Sequence, residues 1–394
     1  MITQRIDQLT YADIERLVEQ KVPESRVLDY KRQLPGGTLD EVKELLADVT
    51  SFANASGGHL VFGVTTAKAN GKNTAIPESI VGVGEIIGEE VENRLDAQLR
   101  SCIQPRIVGL RVKAIIEPDK PTVVVIHIPR SWNAPHMVAK GSSKFYSRTS
   151  AGKQPLDVTE IRHAFAMSES VGEKIRAFRD ERIGRILSGD MPVPINPSAL
   201  VVVHSIPLDA FANNATIDLA VLDPASRNIS HFGTRFWSDR RYNLDGLLNY
   251  SQTMKTYANG CLQVFRNGVT EIVDALILRP LVASESSSFD IAELENHLMI
   301  HGDQVRATFK QLEIGCPTLV FISLLNVRGF VALPSNCFSP RLCPIDRDHL
   351  LLPDLLVEDT SIPAQTFLRP AFDLIWQACG GTGCPYYDAD GKRR

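Results

Sequence analysis

Apolar residues recur at helical spacing early in the chain and then give way to short unbroken runs. Val42, Leu45, Val49, Phe52 and Ala53 form one stripe behind Thr38-x-x-Glu41, a capping box. The stripe predicts a helix ending at "NASGG", where Gly57 and Gly58 supply a left-handed turn. A shorter helix is predicted from Thr10-x-x-Asp13 to about Gln20, stopped by Pro23. Residues 26–32 between them read as a short strand. "HLVFGV" has the run of a buried strand, and Asn70-Gly71 marks a turn. Ile87, Val91, Leu95 and Leu99 predict a further helix, closed by Pro105. "RIVGLRVKAII" and "TVVVIHI" flank Pro118-Asp119-Lys120 as a hairpin, and "KFYSR" is one more strand. Asp157-x-x-Glu160 then caps a helix through about Met167.

A charged helix, "VGEKIRAFRDERIGRIL", comes next. "SGDMPVPINPSA", rich in Pro and Gly, reads as a linker. Beyond it "ALVVVHSI", "ATIDLAVLD", "CLQVF" and "TEIVDALIL" read as strands, with Asn267-Gly268 turning between the last two. Asp290 caps a helix reaching about Gln311, "TLVFISLL" is a late core strand, and the tail "CGGTGCPYYDADGKRR" reads as loosely ordered. The pattern divides the chain into a mixed α/β domain over residues 1–168, a charged helix and linker over 169–198, and a second α/β domain of unassigned fold over 199–394.

Composition changes this picture little. A chain of 394 residues is long for one core, which agrees with two domains. A net charge of −4 excludes a chain that is basic throughout, so any nucleic-acid surface is local. No apolar run has the length of a membrane span, and the first residues lack the apolar stretch of a secretory signal. With seven cysteines, an odd number, the expectation is reduced thiols in a cytoplasm.

The candidate chemistry begins at "ESRVLDYKRQ". Glu24 and Asp29 are carboxylates five residues apart, followed by Lys31 and Arg32. Residues five apart on a straight strand point to opposite faces. Convergence therefore requires Glu24 in the bend after Pro23 and Asp29 inside the strand. Together they offer the hard oxygen ligands of a divalent cation; as separate surface acids they would merely pair with Arg26 and Arg32. Glu41 is the nearest spare acid, but the capping box already explains it, and Asp48 lies on the polar side of the same helix.

A second constellation is "AKGSSKFYSRTSAGK". It holds Lys140, Lys144, Arg148 and Lys153, no acid, and Ser142, Ser143, Ser147, Thr149 and Ser150 as small donors. That mixture suits contacts to phosphate and sugar, and Tyr146 and Phe145 offer stacking faces. The bland alternative is a hairpin whose basic edge discourages strand pairing.

The order "ESRVLDYK", helix, "SFANASGGHLVFGV", "KFYSRTS", capped helix resembles the Schlafen AlbA_2 family, also called the divergent AAA-4 domain, over roughly the first 165 residues. The resemblance implies a nucleic-acid-binding domain. Schlafen members that cut transfer and ribosomal RNA use a Glu, an acid five residues later and an Asp just after the "GV" strand. Glu24 and Asp29 match the first two, and Thr66 stands at the third. The implied activity is a Mg²⁺- or Mn²⁺-dependent endoribonuclease with Glu24 and Asp29 as metal-binding catalytic acids, favouring RNA over DNA. The substituted Thr66 instead favours a non-catalytic DNA-binding regulator; a third reading is an interaction protein without nucleic acid. The resemblance leaves the second domain to sense a trigger, bind a partner or build a homo-oligomer, as an antiviral effector requires. An ATP-binding role lacks its G-x-x-x-x-G-K-[ST] loop.

Other signals are weaker. Arg176, Arg179, Arg182 and Arg185 form a sloping stripe that reads as a solvated face with internal ion pairs. His297 and His301 share a helix face without an H-E-x-x-H motif. Cys337, Cys343, Cys379 and Cys384 are too loosely spaced for a zinc site.

Overall fold

The computed structural model describes residues 2, 6–69, 72–84, 88–149, 152–212, 216–230, 232, 239–252, 256–279, 287–312, 314–333, 342–388 and 391–393. The Asn70-Gly71 turn, Ile87, Ser150 and Cys337 therefore lie outside the described residues. The chain divides into two compact units, Met1–Gly172 and Glu173–Arg394, each of mixed helix and strand. Among the described residues no helix is long and apolar enough to cross a membrane.

The first unit contains helices α1 (Tyr11–Glu19), α2 (Leu39–Ala53) and α3 (Gly88–Cys102) and strands β1 (Leu28–Lys31), β2 (Gly58–Phe62), β3 (Val64–Ala69), β4 (Lys72–Ile80), β5 (Ile103–Gln104), β6 (Arg111–Ile115), β7 (Val123–Ile128), β8 (Met137–Val138), β9 (Tyr146–Thr149) and β10 (Gly152–Pro155). Its central sheet has the order β1-β2-β7-β6. β1 and β2 run parallel, which requires the crossover that α2 provides. All three helix N-terminal caps predicted for this unit form: Asp13 accepts from the Thr10 amide, Glu41 from the Thr38 amide and hydroxyl, and Glu160 from the Asp157 amide.

Strand alternation decides what faces what. Leu28 and Tyr30 of β1 pack with Ile14 and Leu17 of α1. Leu60 and Phe62, with Val124 and Ile126, pack on α2 and α3 instead. Asp29 and Lys31 pair in register with Leu60 and Phe62, so they stand on the α2 side.

"FANASGG" works as a bolt. The Asn54 amide donates to the carbonyls of His136 and Tyr146 at 3.0 and 2.8 Å, and its oxygen accepts from the His136 amide. Gly57 and Gly58 have positive φ, and a Cβ on either would come within 2.4 Å of neighbouring backbone, at Arg130 and Val27 respectively. Only glycine allows that approach.

Helix α4 (Val158–Ser188) is one continuous element where the pattern suggests two, and the division between the units falls within it. No Pro or Gly breaker stands between Met167 and Val171, so nothing interrupts it.

The second unit continues with β11 (Leu200–Pro207), α5 (Asp209–Ala212), α6 (Leu219–Ser226), β12 (Asp239–Tyr242), β13 (Gly246–Gln252), β14 (Ala258–Phe265), β15 (Thr270–Asp274), β16 (Ser288–Asp290), α7 (Ile291–Gln311), β17 (Thr318–Leu325), β18 (Val331–Leu333), β19 (His349–Leu351), β20 (Leu355–Val357), α8 (Ala364–Phe367) and α9 (Arg369–Ala378). An eight-stranded antiparallel sheet has the order β12-β13-β14-β15-β11-β17-β19, with β20 also on β17. "ATIDLAVLD" is corrected from strand to helix over its later part: the Asp218 carboxylate caps α6 through the Ala220 amide at 2.9 Å. The tail is likewise packed rather than loose. Cys384 and Tyr387 are buried, and Arg393 pairs with the fully buried Glu295 at 2.7 Å.

One face of this sheet packs on the end of α4 through Ile183 and Ile186. Arg182, read from sequence as part of a solvated stripe, is buried there. Its guanidinium donates to both Glu271 oxygens at 2.8 and 2.7 Å, and His204 meets the same carboxylate at 2.9 Å. Burial pushes the Glu271 carboxyl up, but Arg182 and His204 outweigh it and hold the group at about 2. Removing one partner of a buried pair leaves the other uncompensated. Arg182→Met should therefore cost about 3–5 kcal/mol in urea denaturation. A loss below about 1 kcal/mol, the range of exposed pairs, would contradict the anchor.

Candidate nucleic-acid and metal site

Pro23 ends the approach to β1, and Glu24 sits in the bend before the strand, where its amide donates to the Ala75 carbonyl at 2.7 Å. The Ser25–Leu28 bridge closes a tight turn. The chain doubles back far enough for Glu24 Oε1 to accept from the Tyr30 amide at 3.1 Å. Glu24 and Asp29 thus meet as the sequence requires, one in the bend and one in the strand.

Burial first, then the charge of Asp29 and a hydrogen bond to it, push the Glu24 carboxyl up to about 7. The Tyr30 amide and Lys31 oppose this without cancelling it. At neutral pH the Glu24 carboxyl therefore holds a proton much of the time.

Asp29 is 5% exposed and carries the cluster. Arg148 donates to its Oδ2 at 3.0 Å, and Lys31 approaches the same oxygen at 3.4 Å. Lys31 also reaches Asp48 at 3.1 Å, bridging β1 and α2. Lys153 meets Asp48 at 2.9 Å and also pairs with Glu44. Arg148 is buried, its guanidinium stacked 4.2 Å from the centre of the Phe52 ring. β9 and β10, which carry Arg148 and Lys153, are thereby clamped to α2 and β1.

The sequence-derived residues fall into two groups. Glu24, Asp29, Lys31, Arg148 and Lys153 come together, the cations already matched by acids. Arg32, Lys140 and Lys144 are exposed. Tyr146 is half-buried against the core under α2, and Phe145 lies edge-on to Phe165 with centroids 6.2 Å apart. Glu41 remains in its cap. Thr66 lies on β3, outside the central sheet. Asp48, a minor candidate from sequence, is 3% exposed and belongs to the cluster. The signal for it was the last acid of α2, one turn before the buried Phe52.

Among the described residues no group of three or more His, Cys, Asp or Glu is placed to hold a metal ion. A cation here would have the Glu24–Asp29 pair as its protein ligands. Mg²⁺ is commonly held by one or two carboxylates, with water and substrate phosphate completing its shell. The Glu24 carboxyl, destabilised as an anion by burial and then by Asp29, is the member of the pair that an added positive charge would relieve.

Residues 24–157 match the family model described as Schlafen, AlbA_2. The likeness read from "ESRVLDYK", "FANASGGHLVFGV" and "KFYSRTS" is thereby shown for the N-terminal unit. The chain is also similar to the solution NMR structure of the N-terminal domain of a putative ATP-dependent DNA helicase RecG-related protein from Nitrosomonas europaea. That match has 19% sequence identity and a TM-score of 0.25, and it covers 32% of this chain and 75% of that chain. No curated protein matches the chain.

The Glu24 shift has a thermodynamic consequence. Folding raises this carboxyl, so the folded state holds the proton more tightly than the unfolded chain. The resulting stability is complete below the unfolded value and is lost as pH rises to about 7. Glu24→Gln, which keeps the neutral shape, should flatten the fall in urea midpoint between about pH 5 and about pH 8. Parallel curves for wild type and variant would contradict the raised Glu24 carboxyl.

Proposed function

We propose that the N-terminal unit binds nucleic acid and that Glu24 and Asp29 hold Mg²⁺ or Mn²⁺ to assist endonucleolytic cleavage of structured RNA such as transfer RNA. The observation that carries this reading is the carboxyl pair itself: two acids forced together at one end of β1, beside the Lys31 ammonium. A bound divalent cation supplies charge neutralisation at a phosphoryl oxygen. The chain's own residues do the rest. Glu24 and Asp29 hold the cation, and Arg148 fixes the Asp29 carboxylate in one orientation. Lys31 offers the nearest ammonium to a phosphate, with Lys140, Lys144 and Arg32 exposed for the flanking backbone. A preference for RNA over DNA, an antiviral role and homo-oligomerisation rest on the Schlafen resemblance alone, and a cytoplasmic location rests on the cysteine usage.

A second reading is a non-catalytic DNA-binding regulator. Two observations favour it: Thr66 stands at the third acid position, and Lys31, Arg148 and Lys153 already have carboxylate partners.

The full chain, incubated with total transfer RNA or duplex DNA and Mn²⁺ or Mg²⁺, separates the two. On the first reading RNA is cut, and Glu24→Gln abolishes the cutting while binding persists. Binding without cleavage by wild type under either metal would overturn the nuclease and leave the regulator.

The exposed lysines make a separate expectation. Lys140→Ala with Lys144→Ala should weaken binding and reduce the steepness of its salt dependence by about two phosphate contacts. Unchanged affinity and salt slope would place the nucleic-acid surface elsewhere.

A further inference from the structure

The second unit contains a cleft with chemistry of its own, independent of the Glu24–Asp29 site. Its walls are α7, the sheet face formed by β11 and β17, and the end of α8. Val203, Val305, Ile322 and Phe367 make it largely apolar, and Ser205, His301 and Thr318 are its buried polar members. With its mouth included the empty space is about 470 Å³, and little of it is wide enough to hold even a water-sized body clear of the walls, so the cleft is narrow. A slender body fits such a shape and a bulky one does not.

His301 is 1% exposed, and neither ring nitrogen has a hydrogen-bond partner in the protein. Its ring stands edge-on to Phe232 with centroids 5.3 Å apart, so one flank is packed. The Thr318 hydroxyl is also buried without a partner. Native interiors rarely leave such groups unsatisfied, because each loses its water without gaining a bond. Leucine at 301 and valine at 318 would have completed an apolar wall. The residues present instead put a donor, an acceptor and a hydroxyl there.

The charge balance narrows the ligand. Burial pushes His301 down to about 3, so its ring is neutral at physiological pH and offers one N–H and one lone pair. At the rim Arg306 donates to Asp303 at 3.0 Å and to the Thr360 carbonyl at 2.6 Å, so the Asp303 carboxylate matches its charge, while its Nε is a further buried donor without a partner. An ion entering the cleft would lose its hydration and meet no unmatched charge. An uncharged polar end suffers no such penalty. Apolar pockets with a few convergent polar groups are the usual form of small-molecule sites.

We propose that the second unit binds a slender uncharged amphiphile, an alkyl chain ending in a hydroxyl or carbonyl, with the polar end on His301 and Thr318 and the chain along α7.

The test uses the full chain and two probes of similar width, 1-hexanol and 1-chlorohexane, followed by ligand-observed NMR titration. Wild type should bind 1-hexanol saturably. His301→Leu should weaken 1-hexanol by about tenfold, the effect of one buried hydrogen bond, and leave 1-chlorohexane unchanged. His301→Gln, which retains a donor and an acceptor, should keep the preference for 1-hexanol. Absence of saturable binding to wild type would overturn the proposal, as expected of a cleft that holds only water. Equal loss of both probes in His301→Leu would overturn it too, because the histidine would then only support the wall.

Discussion

The buried Asp29 carboxylate is the constraint on which the first unit turns. It sits on β1 between the packed Leu28 and Tyr30, and it is almost wholly removed from water. An isolated carboxylate there would be unstable, so the fold surrounds it with Arg148 from β9 and Lys31 from its own strand. Each of these cations ties another element in. Arg148 stacks on Phe52 of α2, and Lys31 reaches Asp48 on the same helix. The capping box, the glycine turn and the Asn54 bolt hold α2 and β9 at the distances these contacts need. Glu24 is the member left with too little compensation, and its raised carboxyl records that imbalance.

That imbalance gives the cluster its chemical interest. Matched ion pairs are structurally useful but chemically quiet, and Lys153 with Asp48 and Glu44 belongs to that class. A carboxyl held near neutrality beside a second acid responds to any added positive charge, whether a proton or a divalent cation. The same structure also tempers the sequence-based picture of a basic grip. Three of the cations chosen for phosphate contact have carboxylate partners, and the exposed lysines lie in the loop before β9.

Much of the first unit was legible because its signals are local. Capping boxes, glycine turns and apolar stripes specify α1, α2, the strand after "NASGG" and the hairpin of β6 and β7. The need for a bend at Glu24 followed from strand geometry alone. Contacts between residues far apart in sequence were not legible. Arg148 and Asp29 are 119 positions apart, and Arg182 and Glu271 are 89 apart. Arg148, read as a phosphate contact, and Arg182, read by spacing as solvated, are both drawn inward by a buried acid. "ATIDLAVLD" misled because its apolar residues suit either period, and the deciding Asp218 cap is a single residue. The tail misled because glycine-rich composition outweighed Cys384, Tyr387 and Arg393, whose partners lie on α7, α8 and α9.

The central claim is that the Glu24–Asp29 pair takes a divalent cation. Titration of the full chain with Mn²⁺, with free Mn²⁺ read by electron paramagnetic resonance, addresses it without reference to any substrate. The account requires saturable binding near neutral pH that weakens as pH falls through about 7 and disappears in Glu24→Gln. Mn²⁺ binding of equal strength in wild type and variant, or none in either, would contradict it and leave the pair as structural acids.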